Sequence, residues 1–128
     1  MKNVPVGKWN FSPCTGQLPT PRQAVSGAML NSNEFVIFGG GAMEGPYDNR
    51  TFVLDLRSSV WREIETSSSP SPRGNAVTTF YILSGVMALT TLDNKVYVFG
   101  GYTGKDHLDD FHVLDISSKL VNGKKKGV

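Results

Sequence analysis

The chain has 128 residues, room for one ordinary domain, and its 39% hydrophobic content is enough to build a core. With 14 Gly and 7 Pro it favours turns over long helices. The formal charge of +2 comes from Lys124, Lys125 and Lys126; without them the body is close to neutral, which excludes a basic face for nucleic acid or an anionic membrane.

The first twenty residues are polar and Pro-rich, with no apolar core for a secretory signal. Cys14 is the single cysteine, so no internal disulfide forms. Both features predict a reducing compartment, the cytoplasm, with the nucleus as a second choice. Asn10-Phe11-Ser12 and Asn49-Arg50-Thr51 then read as chance sequons. Trp9 predicts a stray strand near the start.

Pro19-Thr20-Pro21-Arg22 cannot continue a sheet, because proline removes ladder donors, and it opens the first unit. Short apolar runs then predict four strands, over 25–30, 34–38, 51–56 and 60–64. Asn31-Ser32-Asn33, residues 39–50 and Arg57-Ser58-Ser59 separate them with turn chemistry. The run Val36-Ile37-Phe38 into Gly39-Gly40 predicts a strand buried on both faces, ending where the backbone needs glycine.

The same order recurs. Pro70-Ser71-Pro72-Arg73, Tyr97-Val98-Phe99-Gly100-Gly101 and His112-Val113-Leu114-Asp115-Ile116 repeat the first Pro-x-Pro-Arg, Val36-Ile37-Phe38-Gly39-Gly40 and Phe52-Val53-Leu54-Asp55-Leu56. Arg22 and Arg73 lie 51 residues apart, Gly39 and Gly100 61, so the second unit carries about ten extra residues. Removing ten residues, for instance 74–83, restores the register and sets Ser84-Gly85-Val86 against Gln23-Ala24-Val25, although Asn75-Ala76-Val77 resembles the same segment and leaves the gap's place open. The nineteen uncharged residues 74–92 raise a membrane-span question. Their threonines and β-branched residues favour strand plus insertion.

This ordered set resembles the kelch repeat, one blade of a β-propeller. Its marks are Arg22, Gly39, Gly40, Tyr47, Asp48, Asp55 and Trp61 in the first unit and Arg73, Gly100, Gly101 and Asp115 in the second. The resemblance implies an all-β fold, a kelch-type β-propeller segment with one complete four-stranded blade plus a partial second blade. The repeat region spans 9–118, with units at about 19–66 and 70–118, an N-terminal segment 1–8 and a lysine-rich tail 119–128 read as solvated and disordered. The fourth strand of the second unit is absent: Val121 stands where tryptophan is expected.

The resemblance also implies a non-catalytic module that binds an unidentified protein. Arg22 and Arg73 tie neighbouring segments by hydrogen bonds, and Trp9 and Trp61 pack between blades. Partner contacts fall to loops: residues 41–50 with Met43, Glu44 and Tyr47, or residues 102–106 with Tyr102 and Lys105. Two units leave blade faces open to self-association. The cluster Asp106, His107, Asp109, Asp110 and His112 has metal-ligand chemistry, but reads as a loop and strand start. No cofactor, metal or catalytic residue is expected. The Glu-x3-Asp-x3-His spacing of specifier-type kelch proteins does not occur, so an accessory domain of that type is a weaker alternative. A truncated or splice-derived fragment is the other.

Overall fold

The computed structural model describes residues 6–41, 46–74, 88–116, 120–121 and 124–125. Among them every regular element is a strand. β1 (Thr15–Gly16), β2 (Ser26–Met29), β3 (Glu34–Phe38), β4 (Thr51–Asp55) and β5 (Val60–Ile64) form one sheet in the order β1-β5-β4-β3-β2. β6 (Ala88–Leu92), β7 (Lys95–Tyr102) and β8 (His107–Asp115) form a second, three-stranded sheet. The four strands predicted for the first unit are all present, the first and third trimmed at their ends.

The turns follow from their residues. The Asn31 side chain accepts from the Asn33 amide at 2.9 Å and shapes the β2–β3 turn. Between β4 and β5 the Asp55 carboxylate accepts from the amides of Arg57 (2.8 Å) and Ser58 (3.2 Å). These bonds hold its pKa below the usual carboxylate value. In the second sheet Asp93 and Asn94 both take positive φ, +52° and +60°, as a two-residue hairpin turn requires.

Strand pairing places the extra residues. Gln23 bridges Gly41 in the first unit as Gly74 bridges Tyr102 in the second, a shift of 51 residues on the leading strand. Ser26 pairs with Phe38 as Ala88 pairs with Phe99, a shift of 62. Eleven extra residues therefore fall within 75–87, outside the described residues, and the β6–β7 turn, one residue shorter, brings the net excess to ten. Gly74 stands in the repeat at the place of Gln23, so the alignment of Ser84-Gly85-Val86 with Gln23-Ala24-Val25 gives way to this register.

The sheets pack face to face. Val36, Phe38 and Val53 from the first, with Leu30 beyond the end of β2, meet Val96 and Val98 from the second. Leu89, Leu114, Ile116 and Ile64 close around them. Each fully buried side chain of this size contributes about 1.5–3 kcal/mol, so the contact between units is where the stability lies.

Two expectations change at the ends. Residues 6–14 contain no strand, and Trp9 is 100% exposed, so it packs between no blades. The edge strand is β1 instead, parallel to β5, with the Thr15 amide donating to Ser59 and the Gln17 amide to Trp61. Its Gly16 lies against the Trp61 backbone, which leaves no room for a side chain. In the tail, β9 (Leu120–Val121) pairs with β10 (Lys124–Lys125) as a hairpin of its own, where disorder was expected.

Candidate functional site

The opening segments build the same device twice. Arg22 Nε donates to the Thr20 carbonyl (3.0 Å), Nη2 to Thr20 Oγ1 (3.1 Å) and Nη1 to the Gly39 carbonyl (3.1 Å). Arg73 repeats this with the Ser71 carbonyl (3.0 Å), Ser71 Oγ (3.0 Å) and the Gly100 carbonyl (3.1 Å). The hydroxyl two residues before each arginine and the flanking prolines hold the guanidinium in place. The double glycines receive it with φ between +70° and +111°, a region that a side chain would strain.

The carboxylate partners differ. Asp48 reaches Arg22 Nη1 at 3.3 Å, whereas Asp110 takes Arg73 with both oxygens, at 2.6 and 2.9 Å. By register Asp110 stands where the first unit has Arg50, and His112 where it has Phe52. The Arg22 and Arg50 guanidiniums both lie over the Phe52 ring, at 5.3 and 5.0 Å from its centroid. His112 instead hydrogen-bonds Asp110 at 2.7 Å. The Arg73 guanidinium holds the Asp110 carboxyl well below the usual carboxylate range; partial burial opposes this and the His112 bond adds to it.

Arg73 also joins the units. Its amide donates to the Asp48 carbonyl (3.2 Å) and its carbonyl accepts from the Gly40 amide (2.9 Å), both in the first unit. Its side chain, 0% exposed, is spent on the second unit and on its own segment. Gly74 follows in a slot where a Cβ would lie 2.8 Å from the Ala24 carbonyl oxygen and 3.2 Å from the Tyr47 ring. A cleft of about 320 Å³ beside this junction is walled by core residues including Phe38, Val96, Val98 and Leu114, and it is a packing gap between the sheets.

Above the junction the two loops offered as alternatives by the sequence come together. Tyr47 and Tyr102 meet edge to face with ring centroids 6.5 Å apart, and the His107 ring lies 5.0 Å from Tyr102. A turn pins the second loop: the Thr103 amide donates to the Asp106 carbonyl, and Thr103 Oγ1 accepts from the Asp106 amide, both at 3.0 Å. Lys105 and His107 are exposed, Tyr47 and Tyr102 half-buried. The result is a pinned aromatic surface.

The other residues singled out from the sequence fall into place by position. Asp55 shapes the β4–β5 turn; Trp61 is half-buried on β5, opposite Leu54 and Gly16; Asp115 ends β8 opposite Lys95. Met43 and Glu44 lie outside the described residues. His107 belongs to the aromatic surface, which sequence reading did not assign to it; the signal was its register opposite Tyr102. Among the described residues no three His, Cys, Asp or Glu side chains converge as a metal set, and no helix is long and apolar enough to cross a membrane.

One complete four-stranded blade, a second of three strands and an arginine cradle repeated in each define an all-β, kelch-type β-propeller segment. The chain belongs to the kelch-repeat family, matching the KLHDC2/KLHL20/DRC7 Kelch-repeats domain over residues 2–123. An F-box/kelch-repeat protein of Arabidopsis thaliana is 32% identical over 103 residues, covering 77% of this chain and 20% of that protein. A host cell factor homolog of Caenorhabditis elegans is 27% identical over 124 residues, 90% of this chain and 15% of that protein. The human Rab9 effector protein with kelch motifs is 28% identical over 105 residues, 80% of this chain and 25% of its own. The chain thus spans a quarter or less of these relatives.

Proposed function

We propose that the chain is a non-catalytic module that binds another protein through the surface built from Tyr47, Tyr102 and His107, in the cytoplasm. The observation that carries this reading is the convergence of two tyrosines from consecutive units on loops pinned by backbone bonds. Tyrosine supplies large contact area at low entropic cost, and a pinned loop loses little freedom on binding. The family supports the class of function, and the similarity to a Rab9 effector protein with kelch motifs is in keeping with it.

The test is comparative capture from cell extract with immobilised wild-type chain, a Tyr47→Ala/Tyr102→Ala variant and a Trp9→Ala control. Circular dichroism checks that each is folded. Proteins retained by wild type and control should be lost from the double variant, with affinity falling at least about thirtyfold for a central aromatic pair. An unchanged set on the double variant would refute the assignment.

A further inference from the structure

Four hydroxyl residues of the chain are followed directly by proline: Ser12, Thr20, Ser69 and Ser71. The last two stand in the segment that leads from the first unit into the second. Residues 65–73 belong to no strand, and Ser67, Ser68, Ser69, Ser71 and Pro72 are all exposed there. A residue before proline is steered away from the helical region, so Ser69 and Ser71 are both held extended. An exposed, extended Ser-Pro is the form in which a proline-directed protein kinase takes its acceptor.

Ser71 is marked out by what meets its hydroxyl. Arg73 Nη2 donates to Ser71 Oγ at 3.0 Å and to Asp110 Oδ2 at 2.9 Å. One nitrogen of a side chain that is 0% exposed therefore gives one hydrogen to the serine and the other to a carboxylate. Thr20 has the matching bond to Arg22 Nη2, but the Asp48 carboxylate reaches that arginine at Nη1, and only at 3.3 Å. Ser69 Oγ is engaged with Thr66 Oγ1 at 2.8 Å.

We infer that Ser71 is a phosphorylation site for a proline-directed kinase, and that its phosphate takes Arg73 Nη2 from Asp110. Ser71 Oγ attacks the γ-phosphorus of a nucleoside triphosphate. The Oγ–P bond forms as the bond to the β–γ bridging oxygen breaks, the nucleoside diphosphate leaves with that electron pair, and the hydroxyl proton passes to a carboxylate of the kinase. The new phosphoryl oxygens carry a charge of about −1.5 to −2 and bond a guanidinium strongly. Two anions on one nitrogen repel each other, and the exposed one gives way. Asp110 is 43% exposed and has solvent to turn into, and His112, 40% exposed, can follow it on their 2.7 Å bond. Phosphate on Ser71 thus loosens the hold of the joining segment on β8. The site is separate from the tyrosine surface and stands or falls without it.

The folded full chain is incubated with a proline-directed kinase and ATP, and the phosphate is located by mass spectrometry. Ser71 should be modified, and Ser71→Ala should lose that phosphate. Ser12→Ala, Thr20→Ala and Ser69→Ala, all at exposed positions, together leave Ser71 as the single hydroxyl followed by proline. On that chain, with folding checked by circular dichroism, urea denaturation compares the modified and unmodified protein. Phosphate should lower the folding equilibrium constant about tenfold. With Asp110→Asn added, the fall should shrink to less than about threefold, since no carboxylate then contends for Nη2.

A folded chain that takes no phosphate on Ser71, or takes it only in urea, overturns the inference. So does a phosphate that strengthens folding while Asp110 is present, or one whose effect is the same with Asp110→Asn.

Discussion

Replacing Arg73 with alanine removes the buried guanidinium that fastens the Pro-x-Pro-Arg segment to the second unit, and its cost can be worked out contact by contact. The guanidinium is fully buried and donates to Ser71, to the Gly100 carbonyl and to both Asp110 oxygens. Ser71 is exposed, so water replaces the arginine there at little cost. Gly100 is buried, and an orphaned carbonyl costs about 1–3 kcal/mol. The Asp110 side chain is 43% exposed, so solvent screens most of the broken ion pair, leaving about 1 kcal/mol. With the void left by the alkyl stem the expected loss is about 3–5 kcal/mol. Arg73→Lys recovers little of it, since an ammonium cannot span the carbonyl and carboxylate as the fork does.

Urea denaturation followed by circular dichroism measures the loss, and its pH dependence supplies a second reading. The folded-state pKa of Asp110 is depressed below the ordinary 3.8. As pH falls, the unfolded chain takes up this proton first, so the stabilisation is complete above 3.8 and drains away below it. The gap between wild type and Arg73→Ala should be constant between about pH 7 and 5 and narrow at lower pH. A gap under about 1 kcal/mol at neutral pH, or one that does not narrow in acid, would refute this account of the Arg73 side chain.

Gly40→Ala should destabilise by about 2–4 kcal/mol in thermal melts, since φ is +79° and a Cβ would stand 2.6 Å from the Gln23 carbonyl oxygen. Gly7→Ala, with open space around it, should change stability by less than about 0.5 kcal/mol. Trp9→Ala should be equally silent, and acrylamide should quench Trp9 far more readily than the half-buried Trp61. Equal quenching of both tryptophans would place Trp9 in a packed site and contradict its exposure.

Much of the blade was legible because its signals are local. Pro-x-Pro-Arg, an apolar run into double glycine, and Asp55 ahead of a turn each act within a few residues, and their recurrence marked two units. The aromatic surface was not legible, because Tyr47 and Tyr102 lie in separate loops whose meeting depends on how one sheet docks on the next. Trp9 misled for the converse reason: a repeat-like position does not by itself fix what the side chain packs against, and Trp9 is fully exposed.

The sequence by itself determined the strands, the turns and the doubled cradle, since these rest on backbone geometry and short-range hydrogen bonds. Only the tertiary structure decided that the two loops share one surface and where the extra residues fall. Those two answers depend on strand register and sheet docking, which set long-range contacts that no window of residues contains.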